Sequence, residues 1–224
     1  MRLLSWITRH ELGFLVALLL AAGGAWVFVG LADEVREGET LAIDERLLLA
    51  LREPDDVNDP LGPPWAEELA RDVTALGSIG ILTFITLASA GFLFLQGKHS
   101  LALYVLAAVG SGTLLSTLLK IGFDRPRPDL VAHCQTIYTS SFPSGHAMLS
   151  AVTLLTVGAL LASAQSSLRL RVYILGLATL LCVAVGVSRV YLGVHWTTDV
   201  LAGWTAGAAW ALACWSVAAF LRRR

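Results

Sequence analysis

SRVYLGVHWTTD (188–199) lies between two apolar runs, 172–189 and 200–221, and sets an arginine, a histidine and an aspartate where one run ends and the next begins. A bilayer core of about 30 Å takes roughly 20 apolar residues per helix. Measured outward from this stretch, four more runs meet that length: 12–31, 76–95, 101–119 and 147–164. The expected architecture is an all-α integral membrane bundle of six transmembrane helices, one domain over 1–224. Hydrophobic residues make up 56% of the chain and charged ones 15%, against roughly 25% charged in soluble domains. With apolar runs along the whole length, this composition describes a polytopic membrane protein rather than a soluble domain on an anchor. A net charge of −1 leaves no footprint for nucleic acid. Two of the three cysteines, Cys182 and Cys214, sit in apolar runs and Cys134 in a polar segment, so no disulfide framework is expected.

The first apolar run exceeds the roughly 7–15 residues of a signal core, so it is read as an uncleaved span. Six spans put both termini on one side, with Arg2, Arg9, Lys98, Arg169, Arg171 and Arg222 to Arg224. The opposite side carries equally many Lys and Arg, but several are diluted in the acidic segment 32–75. Density therefore places the termini in the cytoplasm and 32–75 outside, which for a bacterial cell means the inner membrane. Within that segment, TLAIDERLLLALRE (40–53) crowds leucines on one side of a helix, PDDVNDPLGPP ends it, and WAEELARDVTALG forms a second short helix. Such helices lie in the interface or pack on the bundle; a lid over a lipid is the sharper reading. Trp6, Trp65 and Trp196 fall near span ends, where indoles favour the interface. Gly110, Ser111, Gly112, Gly203 and Gly207 are expected to let helices approach closely.

Two further stretches reach the same face as SRVYLGVHWTTD. KIGFDRPRP (120–128) follows the third run and PSGH (143–146) precedes the fourth. Lys120, Arg127 and Arg189 are three cations at a lipid boundary, where an unpaired charge is costly. They await an anion such as phosphate or diphosphate, for which Arg offers bidentate donors and Lys a point charge. Pro143 suits a helix start, Ser144 brings a hydroxyl, and Gly145 lets backbone approach a ligand; free amides there favour negative charge. His195 and Asp199 stand four apart on one helical face. The carboxylate can accept the proton of one ring nitrogen and leave the other free to attack phosphorus. His146 is then the general acid for the leaving oxygen, a role that contributes about 10²–10⁴ in rate. A neutral base and a protonated acid together imply a bell-shaped pH profile. His10 and His99 are read as interfacial, His133 beside Cys134 as a bystander, and Arg125 as solvated or paired with Asp124.

These residues resemble the type-2 phosphatidic acid phosphatase family, whose signature has three parts. Lys120 is followed by six residues and Arg127-Pro128; Pro143-Ser144-Gly145-His146 is intact; Ser188-Arg189, five residues, His195, three residues and Asp199 complete the third. The resemblance implies a membrane-bound phosphatase that works through a phosphohistidine, with no metal or other cofactor. His195 would be nucleophile, Asp199 its orienting partner and His146 the general acid; Lys120, Arg127, Ser144, Gly145 and Arg189 would hold the phosphate. Its expected partners are a lipid phosphate and the bilayer, with no nucleic acid. The favoured substrate is undecaprenyl diphosphate at the outer face, and phosphatidylglycerophosphate, phosphatidic acid and lipid A are alternatives. A phosphotransferase using the same intermediate is the neighbouring reading. A transporter fits poorly, since it needs polar groups within several spans and runs one, two and four carry no charge.

Overall fold

The computed structural model describes residues 9–131 and 140–221, with side chains from residue 12. Its elements are α1 (Arg9–Glu37), α2 (Leu41–Leu49), β1 (Arg52–Glu53), β2 (Asp56–Pro60), α3 (Pro64–Ala75), α4 (Ile79–Leu95), α5 (His99–Gly122), α6 (Gly145–Ser163), α7 (Leu168–Tyr191) and α8 (Thr197–Leu221). Among the described residues five helices, α1, α5, α6, α7 and α8, are long and apolar enough to cross a membrane. A sixth crossing exists only if α3 and α4 count as one span bent by 47°. The short helix expected from WAEELARDVTALG is α3, and the run expected as a span at 76–95 is α4, whose 17 residues reach about 25 Å, short of the bilayer core by themselves. The break is local chemistry. Ser78 adopts an extended conformation and its Oγ accepts from Ile81 N at 3.3 Å, which caps a new helix.

The central helix is α6, packed against α4, α5, α7 and α8. Small residues let α6 and α8 approach closely. A Cβ on Gly203 of α8 would stand 2.7 Å from the Ser144 carbonyl oxygen and 2.9 Å from Ala147 Cβ, and Gly207 meets the Met148 carbonyl in the same way. Van der Waals contact between backbones drives such packing in lipid. Here it brings the start of α6 against the start of α8. Gly110 faces open space instead.

Two of these helices end on a cation. Lys120 lies in the last turn of α5, its Nζ donating to Ser140 O, and Arg189 in the last turn of α7, its Nη1 donating to Thr74 Oγ1.

The helix expected over 40–53 stops at Leu49. Arg52–Glu53 pairs antiparallel with Asp56–Pro60, so the described residues are all-α except for one small hairpin. Pro54 and Asp55 suit the turn between the strands. Arg52 Nη1 donates to the Tyr191 carbonyl at 2.8 Å, and Tyr191 Oη donates to Leu61 O at 3.0 Å, so the hairpin is tied to the end of α7. Leu48 is fully buried with Val131, Val190 and Trp196, so α2 packs on the bundle. Trp65 is exposed, whereas Trp196, expected at the interface, is buried and donates from Nε1 to Pro126 O at 3.0 Å. Trp6 lies outside the described residues.

Candidate active site

A helix stop explains the spacing of the third stretch. Past the end of α7, Gly193 has φ +73°, a left-handed conformation that costs a glycine little. Gly193 N donates to Val190 O at 2.9 Å and Val194 N to Arg189 O at 3.1 Å, the pair of bonds of a Schellman motif. The chain reverses there. Arg189 is left in the last turn of one helix, while His195 stands two residues before the next.

The first two stretches are held together through backbone. Ser141 N donates to Arg125 O at 2.9 Å, Arg125 N to Ser140 Oγ at 3.3 Å, and Ser140 Oγ to Phe123 O. Lys120 Nζ and Arg127 Nη2 both donate to Ser140 O, at 2.9 and 3.4 Å. Ser144 N donates to Asp199 O at 2.9 Å, which joins PSGH to α8.

Asp199 is fully buried and receives donors on both oxygens. Oδ1 accepts from Arg125 Nη1 at 2.6 Å; Oδ2 accepts from Ser141 Oγ at 2.5 Å and from Trp196 N at 3.0 Å, and faces His195 Nδ1 at 3.3 Å. His195 Nε2 lies 3.2 Å from Arg127 Nη1, which also donates to Val194 O at 2.7 Å. A guanidinium has only donors to offer, so Nε2 carries the lone pair and the ring proton sits on Nδ1, toward Asp199. Burial pushes the His195 imidazole down from its ordinary 6.5 to about 3; Asp199 opposes this, and Arg127 and Arg189 add to it. The neutral ring is thus the form present at physiological pH.

Lys120, Arg127, Gly145, His146, Arg189 and His195 line one cavity of about 550 Å³. Ser144 and Asp199 do not line it, although both are fully buried. Ser144 Oγ has no hydrogen-bond partner among the described residues. Arg189 is buried as well, with Nη1 donating to Thr74 Oγ1 of α3 at 3.0 Å. Ile79 and Ile121 in the cavity wall are 67% and 77% exposed, so the cavity has an apolar rim between α4 and α5. Three cations and two histidines converge on a space with an apolar margin, which is what an anionic head on a lipid tail requires.

The sequence profile of the PAP2 superfamily matches residues 101–223, a span that holds all three stretches. The chain belongs to the PAP2 superfamily. It is a lipid phosphate hydrolase and a multi-pass membrane protein. This PAP2 chain is 37% identical over 150 residues to phosphatidylglycerophosphatase B of Bacillus subtilis (strain 168), covering 64% of this chain and 71% of that one. It is 43% identical over 67 residues to an undecaprenyl-diphosphatase of Sulfolobus acidocaldarius, 30% of this chain and 28% of the relative. The fold matches the crystal structure of a transmembrane PAP2-type phosphatidylglycerolphosphate phosphatase from Bacillus subtilis with a TM-score of 0.75 at 28% identity, over 88% and 94% of the two chains. Aquifex aeolicus LpxE matches at TM-score 0.57 and 24% identity, over 78% of this chain and 93% of that one, a likeness of fold.

Sequence reasoning missed four residues around this PAP2 site. Arg125, expected to be solvated or paired with Asp124, bridges Asp199 and Asp44, with Nη2 to Asp44 Oδ2 at 2.8 Å. Ser141, Thr198 and Asp44 complete the network behind His195. The cue for Arg125 was its place inside KIGFDRPRP; nothing in the sequence joins Asp44 to residues some 150 positions away. His99 is exposed, edge-on to Phe94. His133, Cys134 and the side chain of His10 lie outside the described residues.

Proposed function

We propose that this PAP2 protein removes the phosphate of phosphatidylglycerophosphate through a phosphohistidine on His195, without a metal ion. The observation that carries the reading is the orientation of His195: Nδ1 is turned to Asp199 and the lone pair of Nε2 to a cavity lined by Lys120, Arg127 and Arg189. The three cations and the Gly145 backbone hold the phosphate oxygens; Ser144, buried behind the cavity wall, would reach them only by turning its hydroxyl toward the start of α6. Arg127 exchanges its contact with Nε2 for a phosphate oxygen. Nε2 then attacks phosphorus as the ester P–O bond breaks, and His146 gives its proton to the leaving oxygen. Water next attacks the phosphohistidine, its proton passes to His146, and inorganic phosphate leaves with His195 restored. The lipid tail lies along the apolar rim at Ile79 and Ile121. The density of Lys and Arg supports cytoplasmic termini and a site on the outer face of the membrane.

The choice of phosphatidylglycerophosphate rests on the longer of the two curated matches and on the fold match to an enzyme of that activity. Undecaprenyl diphosphate, favoured by the sequence reading, keeps support from the shorter match. The test is inorganic phosphate release by purified protein in detergent with EDTA, offering both lipids and phosphatidic acid side by side. Fastest release from phosphatidylglycerophosphate, abolished in His195→Ala, is expected. Release from undecaprenyl diphosphate alone would transfer the assignment to that lipid, and loss of activity with EDTA would overturn the metal-free reaction.

A further inference from the structure

The first turn of α8 carries Asp199, yet its own N-cap position is filled by Trp196, whose indole has no acceptor to offer the free amides. The missing acceptor comes from α2. Asp44 Oδ1 accepts from Thr198 N at 2.9 Å, the bond an N-cap side chain ordinarily makes. Asp44 Oδ2 accepts from Thr198 Oγ1 at 2.5 Å and from Arg125 Nη2 at 2.8 Å. Arg125 Nη1 donates to Thr198 Oγ1 at 2.8 Å and to Asp199 Oδ1 at 2.6 Å. Asp44 and Asp199 are both fully buried, and the Arg125 side chain is nearly so. Neither Asp44 nor Arg125 lines the cavity. A buried anion this far along the chain is costly unless paired, and its partners are the helix turn and the cation that hold the carboxylate behind His195.

We propose that Asp44 and Arg125 are positioning residues for the phosphatase reaction: Asp44 caps α8 from outside the helix and aims Arg125, and Arg125 fixes the Asp199 carboxylate that orients His195. The segment 38–60 thereby acts on chemistry from behind the catalytic histidine rather than from above the cavity as a lid. This rests on the reading of Asp199 as the partner of His195.

The test compares Asp44→Asn, Arg125→Met, Arg125→Lys and Thr198→Val, alone and combined with Asp199→Asn, in the full-length protein. Phosphatidylglycerophosphate and undecaprenyl diphosphate are presented separately in detergent micelles, with thermal unfolding and monodispersity followed in parallel. Misplacing a reacting group by about 1 Å can cost on the order of 10²-fold, so Asp44→Asn and Arg125→Met are expected to lower kcat by about 10–100-fold while KM stays within about threefold. Arg125→Lys should recover part of the loss. Added to Asp199→Asn, each change should cost less than about twofold more, because the carboxylate they aim is gone. The inference is overturned if folded variants keep kcat within about threefold, if the loss falls on KM, or if it recurs in full on Asp199→Asn. Should Asp44→Asn fail to fold, Arg125→Lys and Thr198→Val decide by the same criteria. If Asp199→Asn alone leaves kcat unchanged, the reading of the site fails, and this inference with it.

Discussion

Replacing Asp199 with asparagine probes the tautomer of His195 without changing the size of the side chain. The carboxylate accepts from Arg125 on Oδ1 and from Ser141 and Trp196 N on Oδ2, where it also faces His195 Nδ1. An asparagine keeps one acceptor and converts the other into a donor. Neither Arg125 nor the Trp196 amide can become an acceptor, so one of them must face the new NH₂ group. The charged 2.6 Å bond to Arg125 is the stronger, and the oxygen therefore stays there. The NH₂ turns to Trp196 N and His195 Nδ1. One buried donor left unpaired costs about 1–3 kcal/mol of stability. The kinetic cost is larger. His195 Nδ1 must now accept, its proton moves to Nε2, and the attacking lone pair is lost. The same substitution behind the histidine of a Ser-His-Asp triad costs about 10⁴ in kcat, roughly 5.4 kcal/mol of barrier. We expect a loss of about 10³–10⁴ in kcat with a modest change in KM, measured by phosphate release on a variant whose unfolding is followed separately. A folded variant that loses less than about tenfold would refute the argument that Asp199 sets the tautomer.

Three further outcomes follow from the geometry. Ser141→Ala removes one donor to the buried carboxylate; hydrogen bonds to charged groups are worth about 1.5–3 kcal/mol, so kcat should fall about 10–100-fold in a phosphate-release assay. Gly203→Ala forces a Cβ to within 2.7 Å of the Ser144 carbonyl, an overpacking expected to cost about 1–3 kcal/mol, visible as a lower Tm in detergent together with reduced activity. The His195 imidazole stays neutral down to about pH 3 in the folded protein and takes up a proton near its ordinary 6.5 when unfolded. Between these values the unfolded chain binds more protons, so this group's contribution to stability is complete above 6.5 and is lost as pH falls toward 3. Unfolding followed from pH 7 to pH 4 should show that decline in the unaltered protein and less of it in His195→Gln, while kcat/KM of the unaltered protein should show no acid limb near 6.5 from His195.

Five membrane helices and the three polar stretches were legible in the sequence because hydropathy and short-range spacing encode them. The i,i+4 pair of His195 and Asp199 is local. The break between the short helix at WAEELARDVTALG and the run at 76–95 was legible, but the 47° angle between α3 and α4 was not, since hydropathy records nothing of the direction in which a helix restarts. Nor was the hairpin at 52–60, where a leucine-rich helix pattern runs on past the residue at which Arg52 leaves it for the end of α7. Arg125 and Asp44 were misread or missed for a related reason. Their charges are satisfied by residues distant in sequence, so each resembles an ordinary surface charge until the fold brings it behind His195. Trp196 is the inverse case, an indole at a span end that the fold turns inward.

The central claim is that His195 carries the phosphate between substrate and water. Rapid quenching of the purified protein with a lipid labelled at the transferred phosphate tests it most directly. The account predicts an acid-labile, base-stable label on His195, formed within one turnover and absent from His195→Ala. Phosphate release at full rate with no label on His195, or with the label on another residue, would contradict it.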